Sequence, residues 1–309
     1  MGSLAFRSGE AATSRAEGEQ LRVGFVGSLN WIESSAPPRG EGFVSKSFPL
    51  VTGEDPERGL HELAGFAPHV TVIFDPTQLP HDAFGSLPGL TLGLLVGGLP
   101  GEDSDRALVT LDRIASFKPA LTGAAVAGSV VWRAIPPPIS DALFADVRQM
   151  HAPPRVMSIG RATPHRDAML LGAKHHHTLL ELLHGVGGAT MARLLGEYDV
   201  GVYIAPERGG GFGAQVGMHL AAGQLLLVDN LAPAHGLERD IDYLHVADAD
   251  ALVWMLDRLG RFPEMYQRIR VRGRMKAEQY RSSRLFARVV HDLLADVEAF
   301  GGNASERSA

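Results

Sequence analysis

The chain alternates short apolar runs with amphipathic segments, and this alternation restricts its fold more than any other sequence feature. In the first half, the apolar runs are LRVGFVGS (21–28), VTVIFD (70–75), LTLGLLVGG (90–98) and KPALTGA (118–124). Between them, 56–67 and 104–117 carry apolar residues at the spacing of an amphipathic helix. Apolar strands that alternate with such helices predict a parallel sheet covered on both faces.

A second series of the same kind follows three consecutive prolines. The segment AIPPPIS (134–140) predicts a stiff, extended connector, because proline can continue neither a helix nor a central strand. Beyond it, further strands are predicted at 155–162, 178–185, 199–206, 224–230 and 243–247, and helices at 188–198, 214–223 and 249–262. We therefore predict an α/β fold with two Rossmann-like βαβ domains.

The domain boundaries follow from these two series. A length of 309 residues suits about two domains. We predict a flexible tail at 1–20, an N-terminal domain at 21–135, a linker at 136–153 and a C-terminal domain at 154–285. The segment 29–48, rich in Ser, Pro and Gly, shows no clear first crossover helix and predicts a long functional or disordered loop.

Composition excludes several classes of protein and site. The absence of cysteine excludes disulfides and thiolate metal sites. No apolar run reaches the ~18–20 residues that span a bilayer, and the first twenty residues lack the apolar core of a signal peptide. We therefore expect a cytoplasmic protein without a transmembrane segment. A net charge of −6 gives no overall basic field that would attract nucleic acid.

The second half carries an ordered set of short motifs. A strand ends in "GR" (160–161), a basic residue and a helix follow, "HG" (184–185) follows the next strand, and the glycine-rich 209–213 precedes a helix. This order resembles the nucleotide-sugar-binding domain of GT-B glycosyltransferases, especially the CgeB-like branch of the group 1 superfamily. The resemblance is clearest over about 155–260.

The resemblance implies a fold and an activity. It implies two Rossmann-like domains facing across a cleft, with a helix within 286–309 returning toward the N-terminal domain. A break in the charged tract 263–300 is then expected, with Gly273 as its weak point. The implied reaction moves a sugar from a nucleotide diphosphate-sugar to an acceptor, with retention of configuration. It needs no metal and no cofactor besides the nucleotide-sugar co-substrate.

The donor site is expected at the ends of the second-half strands. Backbone amides and a helix N-terminus favour a diphosphate, and a glycine loop lets them approach it. The loop residues expected to do this are Gly209, Gly210, Gly211, Phe212 and Gly213. The resemblance assigns the phosphates to Arg161 and Arg166, which follow Gly160; a solvated surface pair is the alternative. It assigns the nucleobase to the loop of His184, Gly185 and Val186, where His184 either contacts the base or caps the turn.

The sequence departs from the family at its two expected acids. Group 1 enzymes carry a Glu-x7-Glu pattern whose positions fall here at Gly210 and Met218. Glu207 is the nearest acid and could replace the first carboxylate, while Gln215 could accept a hydrogen bond from a ribose hydroxyl. A thioether accepts hydrogen bonds only weakly, so Met218 indicates altered ribose binding, a different donor or lost catalysis. A core-facing Met218 is the other interpretation.

The acceptor and the exact activity stay open. Candidate acceptor-side residues are Trp31, Glu33, Asp75 and His81, with Asp82 beside the last. The acceptor could be a small molecule or a glycan, with protein or nucleic acid less favoured, and the protein could form a homo-oligomer. Besides a glycosyltransferase, the sequence allows an inactive GT-B protein that binds a partner, or a nucleotide-sugar epimerase.

Two conspicuous motifs are interpreted as surface features. The run KHHH (174–177) is expected on an extended polar segment, where consecutive histidines point to alternate faces and form no compact metal site. The basic tract RIRVRGRMK (268–276) is interpreted as a solvated helix face, and nucleic-acid contact is the minority interpretation.

Overall fold

The computed structural model describes residues 20–50, 56–79, 86–96, 108, 110–126, 129–183, 186–206 and 210–302. The chain divides into two compact units. The first unit contains the residues up to Pro136 and those from Ser282 onward, and the second is Pro137–Arg281.

The first unit is built on a seven-stranded sheet. Its strands are β1 (Leu21–Ser28), β2 (Phe43–Leu50), β3 (Val70–Phe74), β4 (Leu90–Leu95), β5 (Arg113–Ser116), β6 (Ala125–Val126) and β7 (Ser129–Ala134). Their order is β2-β1-β3-β4-β5-β7-β6, and every pair is parallel except the antiparallel β6 and β7. Two helices, α1 (Leu29–Ser35) and α2 (Pro56–Phe66), follow β1 and β2.

Apolar residues cover both faces of this sheet, which explains why its central strands are nearly continuous apolar runs. On one face, Phe25 of β1 lies with Phe286 and Val289, which come from the C-terminal end of the chain. The Phe25 and Phe286 rings meet edge-on with centroids 4.8 Å apart. On the other face, Leu63 of α2 packs in a second cluster with Ile73.

Three sequence predictions in the first unit are wrong. The helix predicted at 104–117 does not reach residue 117, because Arg113–Ser116 forms strand β5, which lies between β4 and β7 in the sheet. The strand predicted at 118–124 lies later, at Ser129–Ala134, because Pro119–Leu121 forms a 3-10 turn. The segment predicted as a loop, 29–48, holds α1 and most of β2. Since β2 is an edge strand that buries only Phe43 and Phe48, its sequence lacks the apolar run of a central strand.

The second unit contains a five-stranded sheet in which every strand pair is parallel. Its strands are β8 (Val156–Ile159), β9 (Leu179–Leu182), β10 (Val200–Tyr203), β11 (Leu225–Val228) and β12 (Leu244–His245), in the order β12-β11-β10-β8-β9. Its helices are α3 (Pro164–His176), α4 (Gly188–Glu197), α5 (Ala214–Ala221), α6 (Ala249–Arg261) and α7 (Gln267–Lys276). The chain reverses its direction of travel across the sheet between β8 and β10, and open α/β sheets bind ligands at such points.

The segment predicted as a linker, 136–153, belongs almost entirely to the second unit. The backbone amide of Ile139 donates to the carbonyl of Tyr280 at 2.8 Å, and that of Ala145 donates to the carbonyl of Ala221 at 3.0 Å. Ile139 is fully buried against Gly217 of α5. The prolines belong to no helix or strand, and the residues after them pack on the unit they lead into.

The C-terminal tract breaks after Gly273 and not at it. Helix α7 continues to Lys276, a 3-10 turn covers Ala277–Tyr280, and helix α8 (Ser282–Phe300) follows within the first unit. Gly273 lies inside α7, where an added Cβ would approach the carbonyl oxygen of Asp242 to 2.5 Å. The glycine therefore permits close packing of the helix.

The histidine run also differs from its prediction. Lys174, His175 and His176 form the last turn of α3, so this segment is helical and not extended. Among the residues the structure describes, no group of three or more His, Asp or Glu is arranged to hold a metal ion. No helix in the same residues is long and apolar enough to cross a membrane.

Candidate functional site

The carboxyl ends of β8, β10 and β11 are adjacent in the second sheet. The predicted donor residues that the structure describes lie in the segments following β8 and β10, except Val186. Val186 is half-buried between β9 and α4. His184, Gly185, Glu207, Gly209, His81 and Asp82 lie outside the described residues.

The segment from β8 to α3 presents one free cation. Arg161 is exposed, and its side chain has no ion pair or hydrogen bond with any residue that the structure describes. Thr163 caps α3, because its hydroxyl accepts a hydrogen bond from the backbone amide of Arg166 at 3.2 Å, and Pro164 takes the first helical position. The cap fixes the direction in which the chain leaves β8, and so holds Arg161 at the carboxyl end of that strand.

Arg166 is not the partner of Arg161 that the sequence analysis expected. It is only 1% exposed, and its guanidinium donates to the carbonyl of Ile159 at 3.2 Å and to Glu181 at 3.3 Å. Gly160 has φ +150°, and a Cβ there would come within 2.9 Å of Nη1 of Arg166. Helix α3 turns this side chain under the end of β8, so the structure holds it as a buried ion-paired residue.

Arg166 shares the carboxylate of Glu181 with Lys174. Burial raises the pKa of Glu181, but the hydrogen bonds and charges of Lys174 and Arg166 outweigh burial and hold that pKa below its usual value. Nη2 of Arg166 is buried without a hydrogen-bond partner. The cluster of Arg166, Glu181 and Lys174 therefore carries one net positive charge.

The glycine loop is tied to β10. The backbone amide of Gly213 donates to the hydroxyl of Tyr203 at 3.0 Å, and Gly213 is the N-cap of α5 with no side-chain cap. Gly210 has φ +87°, which favours glycine, and a Cβ there would lie 2.8 Å from Nδ2 of Asn230. Burial raises the pKa of Tyr203 to about 12, so its hydroxyl stays neutral.

Aromatic contacts hold the middle of the loop. The ring of Phe212 meets the rings of His235 and Tyr280 edge-on, with centroids 4.7 and 5.4 Å away. Gly211 has no close neighbour beyond the hydroxyl of Tyr203, which a Cβ would meet at an ordinary 3.8 Å. The side chain of Phe212 therefore anchors the loop, and the backbone of the loop is the part left for contact with a ligand.

Helix α5 is buried along almost its whole length. Met218 is 8% exposed, and within the helix only Gln215 is half-buried. This burial favours the core-facing interpretation of Met218 over contact with a ribose. Gln215 turns back on the loop, since a Cβ on Gly213 would meet its Oε1 at 2.2 Å.

A histidine lies beneath β10. His219 is fully buried, and its ring occupies the space beside Gly201, where a Cβ would meet it at 2.4 Å. Its Nδ1 pairs with Oε1 of Gln224 at 2.6 Å, and burial lowers its pKa to about 4. His219 is therefore neutral at physiological pH and serves the packing of α5 on the sheet.

A hydrogen-bonded pair of side chains at the carboxyl ends of the strands, His165 and Asp229, was not predicted from the sequence. Nε2 of His165 donates to Oδ2 of Asp229 at 2.8 Å, and Oδ1 of Asp229 accepts from the backbone amide of Ala205 at 3.0 Å. The Asp229 side chain is 7% exposed and that of His165 is 20% exposed. An Asp directly after the apolar run LLLV and a His in the first turn of α3 were the available signals.

The described acceptor-side candidates lie at the carboxyl ends of β1 and β3 in the first unit. Trp31 is partly buried, and its ring stacks on Phe74 with centroids 6.2 Å apart and an interplanar angle of 9°. Asp75 has φ +52°, and its Oδ1 accepts from the hydroxyl of Thr77 at 2.7 Å. Glu33 is half-buried on α1. Trp31 is thus committed to packing, and the two acids stand at neighbouring strand ends.

Comparison with known proteins identifies the fold. No family model and no curated protein matches the sequence. An alpha-glucosyltransferase solved with UDP and a 13-mer DNA containing an HMU base is 10% identical, with a TM-score of 0.62 over 90% of this chain and 100% of its own. Anabaena Alr3699/HepE in complex with UDP-glucose is 9% identical, with a TM-score of 0.56 over 91% and 100%.

A glycosyltransferase from Rickettsia africae is 9% identical, with a TM-score of 0.52 over 89% of this chain and 98% of its own. These similarities extend over nearly the whole of each chain, so they concern both units and not one Rossmann-like half. Together with the two predominantly parallel sheets, they show that this chain has the GT-B fold.

Proposed function

We propose that the protein is a glycosyltransferase that transfers a sugar from a nucleotide diphosphate donor to an acceptor. The observation that carries this proposal is Arg161, an exposed arginine without a partner in the described chain, at the end of β8. Arg161 lies at the point where the chain reverses its direction of travel across the sheet. The Gly210–Gly213 loop follows the neighbouring strand β10. The similar structures with UDP and UDP-glucose support a donor of this class.

The chemistry of transfer explains why a cation belongs there. The bond between the sugar and the diphosphate breaks, and negative charge builds on the departing phosphate oxygen. An arginine stays charged and binds phosphate through two nitrogens, so Arg161 stabilises that charge as it develops. The N-terminus of α5 serves the same group, because a helix N-terminus favours an anion.

The finer parts of the proposal concern stereochemistry, metal and acceptor. We propose a retaining transfer without a bound metal, in which Arg161 supplies the charge stabilisation that a metal would supply elsewhere. Glu33 and Asp75 are the proposed acceptor-side acids, since Glu33 lies on α1 after β1 and Asp75 directly follows the adjacent strand β3. A cytoplasmic location and a small-molecule or glycan acceptor stay predictions.

Arg155 is a matched control for Arg161, because the two arginines flank the same strand. Arg155 precedes β8 and is exposed, and its hydrogen bonds are made by its backbone: the amide donates to Asp199, and the carbonyl accepts from the amides of Asp199 and Val200. The Arg161→Ala variant should bind UDP at least tenfold more weakly and uridine unchanged, because a hydrogen bond to a charged group is worth ~1.5–3 kcal/mol. The Arg155→Ala variant should bind both like the wild type. Equal losses for UDP and uridine in Arg161→Ala would contradict a phosphate role.

Turnover separates glycosyltransferase activity from the two other GT-B functions. Slow release of UDP and free glucose from UDP-glucose without acceptor, lost in Arg161→Ala, is the expected result. Binding without any release would favour a non-catalytic protein, an interpretation for which the buried Met218 at the position of a family carboxylate is the motivating observation. Conversion of UDP-glucose into another UDP-sugar would favour an epimerase.

A further inference from the structure

Helix α6 presents one continuous face to solvent. Its other side belongs to the core of the second unit through Leu252, Leu256 and Leu259. The outer face is formed by residues at i, i+4, i+7 and i+11, a spacing that sets side chains along one side of a helix. They are Asp250, Trp254, Asp257 and Arg261, and all four are exposed.

Trp254 is the residue of this face that a solvated helix surface does not explain. The indole is 56% exposed, and the guanidinium of Arg258 lies over its ring, 5.2 Å from the centroid. A second exposed apolar residue lies nearby: Leu171 of α3 is 57% exposed, and a Cβ on the adjacent Gly172 would lie 3.0 Å from Val253. Tryptophan and arginine are enriched at the centres of protein interfaces.

The charges of this face differ in sign between its two ends. Asp250 lies in the first turn of α6, and Arg261 lies in the last. Neither forms an ion pair within the part of the chain that the structure describes. These charges also complement the helix dipole, but together with the central tryptophan they make the face complementary to a second copy of itself turned end to end.

We propose that this face is the contact of a homodimer, in which the α6 helices of two copies pack antiparallel about a twofold axis. In such a contact, if one residue meets another across the axis, the reverse contact is made as well. An axis midway between positions 250 and 261 places Asp250 opposite Arg261 of the second copy, at both ends. It also places Trp254 opposite Asp257, whose carboxylate can accept the indole N–H.

The contact is independent of the proposed function, because α6 carries none of the residues placed at the donor site. A contact built around one helix pair lies at the small end of specific interfaces, below ~1,200 Å² in total. We therefore expect a weak dimer with a dissociation constant in the micromolar range, roughly 1–100 μM.

The test is sedimentation equilibrium of the full-length protein between about 1 and about 200 μM, a range that spans the expected dissociation constant. The wild type should pass from one chain to two across this range. Trp254→Ala should weaken association roughly tenfold or more, because it removes the central side chain. Asp250→Arg and Arg261→Glu should each weaken it to a similar degree, since each places like charges opposite one another at both ends.

A mixture of the two charge-reversed variants tests the antiparallel arrangement directly. In a heterodimer of Asp250→Arg with Arg261→Glu, the introduced arginine faces the introduced glutamate, and the native Arg261 faces the native Asp250. The mixture should therefore associate as tightly as the wild type, although neither variant does so alone. Arg58→Glu and Glu62→Arg are the matched controls, because they reverse exposed charges on α2 of the other unit and should leave dimerisation unchanged.

Three results would overturn the inference. They are a wild type that remains a single chain up to about 200 μM, a dimer that the Trp254 and charge variants leave intact, and single losses that the mixture does not recover. Circular dichroism and thermal unfolding establish that each variant is folded. If a charge variant is not, Trp254→Ala decides, because truncating an exposed side chain leaves the core of the unit in place. Nucleotide binding by the single chain is measured separately, so a failure of the proposed function is distinguishable from a failure of the dimer.

Discussion

Replacing Arg166 with alanine should destabilise the second unit without a selective effect on phosphate binding. The guanidinium is 1% exposed, and truncation leaves a cavity below Gly160 and removes donors from the Ile159 carbonyl and from Glu181. Removing one member of a buried ion pair costs ~3–5 kcal/mol. Glu181 keeps Lys174 as a partner, so we expect the lower end of this range, about 3 kcal/mol.

The assay is urea unfolding at neutral pH, with thermal unfolding as a second measurement. A loss of about 3 kcal/mol should lower the melting temperature of the unit by roughly 6–12 °C. Arg161→Ala is the matched control, because this exposed arginine should change stability by less than about 0.5 kcal/mol. Arg166→Met should cost less than Arg166→Ala, since its side chain fills much of the cavity.

Acid should reduce the difference between the wild type and Arg166→Ala. Because Lys174 and Arg166 hold the pKa of Glu181 below its usual value despite burial, the stability from this cluster is present above the unfolded pKa. It is lost as pH falls through the folded pKa, so the difference between the two proteins should narrow in acid, below the usual pKa of a glutamate. Stability within about 0.5 kcal/mol of the wild type at neutral pH, together with a selective loss of UDP affinity, would refute the reasoning and return Arg166 to the phosphates.

Three further predictions concern packing and pH. Gly273→Ala should destabilise by about 1–3 kcal/mol in urea unfolding, because its Cβ would lie 2.5 Å from a backbone oxygen. Gly260 lies in α6, where a Cβ meets nothing within 4 Å, so Gly260→Ala should stabilise the protein by about 0.5–1 kcal/mol. Equal effects of the two glycine substitutions would contradict the placement of α7. His219 has a folded pKa of about 4, so the unfolded state gains a proton first as pH falls below about 6.5. The resulting loss of stability, up to about 3 kcal/mol by pH 4, should be smaller in His219→Gln and is read from unfolding at several pH values. Residues 137–281 expressed alone should give a native circular dichroism spectrum and a cooperative melt, whereas 20–136 should not, because it lacks Phe286 and its neighbours from α8.

The fold class was predictable from the sequence because buried parallel strands leave a direct trace in it. Strands such as β3 and β11 are buried at every position, so each reads as an unbroken apolar run. The edge strand β2 leaves no such trace, since SKS in its middle is partly exposed, and it was interpreted as loop. β5 was assigned to a helix because its residues Ile114 and Ala115 continue the helical spacing of Leu108 and Leu111.

The candidate site was predictable only at the level of its segments. The glycine loop and the "GR" sequence mark the strand ends, and the structure describes Arg161 and Gly210–Gly213 there. What no spacing reveals is the direction of a side chain at the start of a helix. Arg166 and His165 are adjacent in sequence, yet one turns under the sheet to Glu181 and the other turns to Asp229.

The first unit is made from two stretches of chain, the residues up to Pro136 and those from Ser282 onward, and the ribosome synthesises them at well-separated times. Its sheet is complete once Ala134 has been made, but the covering face of Phe286, Val289 and Leu293 follows only after the whole second unit. At the usual ~5–20 residues per second of translation, the exposed sheet waits roughly 8–30 s for that helix. During this interval the apolar face beside Phe25 lacks its cover, and exposed apolar surface of this kind is prone to aggregation. The second unit is continuous in sequence, so it is the one able to finish folding first on the ribosome.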